Sequence, residues 1–147
     1  MIPKTPMSSL DYNIPLLGYP ILVYHDAPAT ETLVADASPG TTIDSFAITP
    51  EQDSLALIIA KSRISTAQDA KRRGSIEIRN GASVLDTSHG ACDHNSAVPT
   101  LYDTLTCIAW ATLTADTAYT FYFAGYGSVA SNVLALDNAW VVFLIRT

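Results

Sequence analysis

The chain predicts an all-β fold: an antiparallel jelly-roll sandwich of about eight strands over residues 41–147, entered through an extended Pro-rich arm over residues 1–40. Three observations carry that expectation. From Thr41 onward, short segments of alternating hydrophobicity are separated by turn residues. Asn80-Gly81 is the dipeptide of a tight hairpin. The closing segment Asn138 to Arg146 is apolar on both faces, with Trp140, Val142 and Leu144 on one and Val141, Phe143 and Ile145 on the other. Such a strand needs cover on two sides. Its own core supplies one, and a neighbouring subunit is expected to supply the other. Trp140, Val141, Phe143 and Ile145 are therefore assigned to core or subunit interface, and the pattern leaves open which set faces which.

Taken in order, the elements begin with the arm. Six of the eight prolines, Pro3, Pro6, Pro15, Pro20, Pro28 and Pro39, lie in the first forty residues. They exclude regular helix there and count against a central strand. The run from Ile14 to Tyr24 is nevertheless too hydrophobic for a solvated linker. An arm lying on a surface fits both facts, with Ile14, Leu16, Leu17, Tyr19, Ile21, Val23 and Tyr24 as its contacts. That surface is either its own domain or a neighbour.

Ile43 to Ile48 is the first strand of the sandwich, turned by Thr49 to Asp53. Ser54 to Ile64 follows, with Leu55, Leu57 and Ile59 on one face before Lys61 and Arg63 point to solvent, which reads as half core and half edge. Thr66 to Gly74 is a polar loop leading into Ser75 to Arg79, whose strict alternation marks a strand with one wet face. Asn80-Gly81 turns the chain as a type I′ hairpin into Ala82 to Asp86, and Thr87 to Pro99 reads as a long polar loop. Leu101 to Leu113 and Ala118 to Gly125 are strands joined at Thr114 to Thr117, the second carrying Tyr119, Phe121 and Phe123 on one face. Val133 to Leu136 opens a last hairpin that closes with Asn138 to Arg146.

Composition bounds the function. With 147 residues the chain is sized for one domain. Eight basic against 14 acidic residues give a net charge of −6, which argues against a nucleic-acid-binding face. Only 15% of residues are charged and 48% are hydrophobic, an apolar excess that burial between subunits accounts for. No apolar run reaches the length of a membrane-spanning helix, so no membrane partner is expected. The start, Met1 to Pro6, lacks the basic and apolar regions of a signal peptide, and Cys92 and Cys107 are expected as reduced thiols.

Leu113-Thr114-Ala115-Asp116-Thr117-Ala118-Tyr119, followed by a loop and a hydrophobic C-terminal strand, resembles the end of the complement C1q and tumour-necrosis-factor family of trimeric jelly rolls. There a Leu-x-x-Gly-Asp turn feeds a core strand and the chain ends in the middle of the fold. Ala115 stands where Gly is usual, and the closing strand lacks the family's Phe-x-Gly-Phe motif. The resemblance covers residues 113–147. It implies a homotrimer, and similar trimers decorate phage heads and tip phage fibres.

No residues are assigned as catalytic or metal-binding, and no cofactor is expected. His89, Cys92 and His94 have metal-ligand chemistry but lack the second ligand pair of a structural zinc site, so a polar loop is the preferred reading. His25, Asp26, His89, Asp93 and His94 supply triad residue types without a nucleophile motif. Glu77 and Asp86 could pair as glycosidase carboxylates, but are read as wet-face residues. Lys71, Arg72 and Arg73 form the one basic run, a candidate contact to an acidic surface. Tyr102, Trp110, Tyr122 and Tyr126 are candidate sugar-stacking rings, with Tyr126 expected to be the most exposed. The expected function is structural: a homotrimeric cement or decoration protein on the capsid surface of a virion, assembled in the host cytoplasm, with the major capsid protein as partner. The alternative is the receptor-binding tip of a phage fibre or spike.

Overall fold

The structure, a computed structural model, describes residues 20–35, 37–66, 72–92, 101–128 and 133–147. Nine strands and no helix are found among them: β1 Pro20–Asp26, β2 Glu31–Leu33, β3 Thr41–Ile48, β4 Ser54–Thr66, β5 Arg72–Asn80, β6 Ser83–Cys92, β7 Leu101–Leu113, β8 Tyr119–Gly127 and β9 Val133–Arg146. They form two antiparallel sheets packed as a sandwich. One has the order β1-β9-β4-β7, with β2 also on β9; the other has the order β3-β8-β5-β6. The pairings are nested, first strands with last: β1 and β2 with β9, β3 with β8, β4 with β7, β5 with β6. The chain is in effect one long hairpin rolled over on itself.

The all-β sandwich follows the expected pattern, with three differences in its elements. First, two strands within the expected arm, β1 and β2, belong to the sandwich, because they carry backbone bonds to β9. Their prolines are accommodated as the rule for edge strands allows: Pro20 is the first residue of β1, and Pro28 lies between the two strands. Second, β4 is central, bonded to β9 and β7 over its length, and is not an edge. Its core face is Ala56, Ile58, Ala60 and Ile64, while Leu55, Leu57 and Ile59 face outward. Third, β9 is continuous from Val133, and β6 runs on through Thr87 to Cys92 where a loop was expected; residues 93–99 of that loop lie outside the described residues.

Bulges account for much of the difference. In β9, Asp137 and Asn138 together oppose the single residue Ser62 of β4, and Asp137 adopts a left-handed φ of 48°. The extra residue inverts the alternation. Val133 and Ala135 face the core before it; Trp140, Val142 and Leu144 do so after it. That settles the question the sequence leaves open, since Val141, Phe143 and Ile145 are then turned outward. Asn138 is buried at the bulge and donates to the carbonyls of Ala29 at 3.0 Å and Ala135 at 3.3 Å. The β5–β6 hairpin forms where expected, but Asn80 pairs with Ser83, so Gly81 and Ala82 are the central residues. Only Gly81 has positive φ, at 57°, which makes the turn type II′ and not I′.

Both seams between the sheets are closed by side chains. At one, Tyr24 of β1 stacks on Phe46 of β3 at 4.5 Å and meets the Trp140 ring edge-on at 5.1 Å. Tyr24 Oη donates to Asp26 at 2.9 Å and also lies against Asp44, and Trp140 Nε1 donates to Asp44 Oδ2 at 2.8 Å. At the other, Ser88 Oγ donates to the Thr106 carbonyl at 2.5 Å, Ile108 N–H donates to Asp86 Oδ2 at 2.9 Å, and Cys107 Sγ lies 3.4 Å from the Ile76 carbonyl. Two backbone groups on the edge of β7, the Thr106 carbonyl and the Ile108 N–H, are thereby satisfied by side chains of β6.

Candidate functional site

Outward-facing side chains of the five-stranded sheet form the one broad apolar surface on the described part of the molecule. Register places Leu22, Phe143, Leu57 and Trp110 in a row across four strands, and His25, Val141, Ile59 and Ile108 in the next. Ile145 and Leu55 extend it on the other side. Trp110 is 51% exposed, Ile108 54% and Leu22 54%. Further along the same face polar residues, Lys61, Arg63, Thr104 and Thr106, are interspersed with Leu134, Leu136 and Tyr102. There Arg63 pairs with Asp137 at 2.8 Å and lies over the Tyr102 ring at 4.8 Å. Both ends of that ion pair are exposed, so it contributes little to stability. Where the polar residues begin is a shallow, apolar-walled hollow of about 180 Å³, lined by His25, Ile59, Lys61, Thr106, Ala139, Trp140 and Val141.

The residues singled out from sequence fall as follows. Of the arm contacts, Ile14, Leu16, Leu17 and Tyr19 lie outside the described residues. Ile21 is exposed on β1, while Val23 and Tyr24 pack against the core. Val23 is the extra residue of a bulge in β1, which turns Tyr24 inward beside Val142. Tyr24 is thus part of the sandwich and is not free to reach a partner. Lys71 lies outside the described residues; Arg72 and Arg73 begin β5 instead of lying in a loop, and Arg73 is exposed.

His94 and Asp93 also lie outside the described residues. Among those described, no three His, Cys, Asp or Glu side chains converge where they could hold a metal ion. His89 is on β6, its Nδ1 2.7 Å from Ser75 Oγ across the hairpin. Sequence reasoning missed this pair because it placed His89 in a loop, and register counted from the turn would put Ser88 opposite Ser75; the bulge between Ile78 and Arg79 shifts the partner to His89. Ser75 is buried, so the pair ties β5 to β6 and offers no accessible nucleophile. His25 lies on the outward face by the hollow, while Asp26 belongs to the Tyr24 cluster.

Glu77 and Asp86 do not form a pair, and Glu77 is buried where a wet-face residue was expected. Glu77 sits opposite Thr87, and Asp86 opposite Ile78 with its carboxylate turned to β7. Glu77 is only 1% exposed, held 3.2 Å from Arg79 Nε and 3.3 Å from Ser38 Oγ, with the Arg79 guanidinium 5.4 Å from the Tyr122 ring centre. Tyr126 is half-buried, and the exposed aromatics are Tyr102 and Trp110.

The titratable groups with shifted protonation are structural. Partial burial pushes the Asp44 carboxyl up, but hydrogen bonds from Tyr24, Trp140 and the Ser45 backbone outweigh it and hold the group below the usual carboxylate value. Burial, and then the Asp44 and Asp26 carboxylates, push the Tyr24 hydroxyl well above its ordinary value, so it remains a donor. Burial also raises the Cys107 thiol. No protein-family model and no curated protein sequence matches the chain.

Proposed function

We propose that this chain is a non-enzymatic structural protein of a phage virion, a homotrimeric jelly roll that cements the capsid through the segment preceding β1. The observation that carries the reading is the apolar outward face of the five-stranded sheet. A sandwich needs only one apolar face per sheet, so a second one calls for a partner. The nested strand pairing supports a jelly roll, and side chains of β6 already occupy part of the β7 edge. Residues 1–19 precede the sandwich and carry Ile14, Leu16, Leu17 and Tyr19, apolar side chains suited to lying along subunit joints. Three tethered arms would bind by avidity even where each binds weakly.

The arm must be tested without touching β1. A chain lacking residues 2–19 keeps Tyr24 and its partners, and should assemble as before while no longer binding capsids. Undiminished capsid binding by that truncated chain overturns the role given to the arm. A fibre tip is the second reading, favoured by the exposed Tyr102 ring beside Arg63; host-cell binding by the purified protein, reduced in Tyr102→Ala, would support it instead.

A further inference from the structure

Resting on the self-association reading, we propose that Trp110 of one copy of the chain seats in the hollow between β4 and β9 of another copy. The hollow exists because Ala139 and Thr106 are small where Ile59, Lys61 and Val141 around them are large. Its roughly 180 Å³ equals the liquid volume of about six waters, well below the roughly 300 Å³ at which small-molecule sites begin. One large side chain is the occupant that fits, and apolar walls favour an apolar one.

Trp110 is the largest apolar side chain exposed on the same face. It cannot fill its own molecule's hollow. It stands opposite Leu57, whereas the hollow lies between Ile59 and Lys61, about 10 Å further along the sheet. Knob and hollow on one face suit a ring or a two-fold pair equally, since each copy offers both.

The area agrees. Three strands of 13 or 14 residues, with the seven-residue β1 alongside β9, give a face of about 700 Å², near the roughly 800 Å² that each partner contributes to a stable interface. Its apolar rows supply the dry centre, and Lys61, Arg63 and Thr104 supply polar groups towards one end.

The chain has two tryptophans, and Trp140 is buried, so quenching of fluorescence by acrylamide reads Trp110. On raising the concentration of the full chain, quenching should fall in step with the rise in sedimenting mass. Thr106→Phe fills the hollow from an exposed position and should weaken association about thirtyfold while leaving the circular dichroism unchanged. Association with Trp110 still fully quenched, and with Thr106→Phe assembling like the parent, overturns the seating but leaves self-association standing. A chain that stays monomeric at every concentration overturns the reading beneath it.

Discussion

Asp44 is the residue on which one seam of the sandwich turns. It accepts from the buried Trp140 indole and lies against the Tyr24 hydroxyl, so three strands, β1, β3 and β9, meet at one carboxylate. Asp44→Ala leaves the Trp140 N–H without an acceptor and should cost about 1–3 kcal/mol in urea unfolding. The same carboxylate makes stability depend on pH. Its folded pKa is lowered, so its contribution is fully present above the unfolded value of about 4 and is lost as pH falls through the lower folded one. The urea midpoint should therefore drop on acidification below about pH 4, and drop less steeply in Asp44→Asn. None of this was legible in the sequence. Asp44 is there one polar residue of a short strand with no partner indicated, and it is the fold that sets it beside Phe123 and the Trp140 indole.

At the scale of elements, the strands were legible and their faces were not. Leu101 to Leu113 is read to the residue, and the hairpin is located to within one residue because Gly81 is one of the few occupants of left-handed backbone. Period-two alternation assumes an unbroken ladder, however, and bulges in β1, β3, β6 and β9 each break it. Leu55, Leu57 and Ile59 look like core for the same reason: alternation identifies two faces but not which one meets the other sheet. The β9 bulge is where this matters most. Asp137→Val forces a β-branched side chain into left-handed backbone and should cost about 1–2 kcal/mol, whereas Asp137→Gly should be tolerated. Chemical denaturation of the two variants checks the pair. Equal stability would mean that the bulge does not fix the register of β9.

For the whole molecule, the account rests on which side of the sheet is unpartnered. The bulge puts Trp140 into the core at 1% exposure and turns Val141, Phe143 and Ile145 out beside Leu57, Ile59, Ile108 and Trp110. Composition hints at the consequence through its charge: 15% charged residues, against about 25% in a typical domain, leave few to cover the surface. The position of the apolar face required the register. His89, by contrast, joins no group of three metal-ligating side chains among the described residues. The most direct test is the sedimentation-equilibrium mass of the full chain beside Ile108→Asp, a charge placed at an exposed point of the apolar face. The account predicts three times the chain's 15.7 kDa for the parent and a single chain, with unchanged circular dichroism, for the variant. A parent that sediments at 15.7 kDa at every concentration, or an assembly that Ile108→Asp leaves intact, would contradict it.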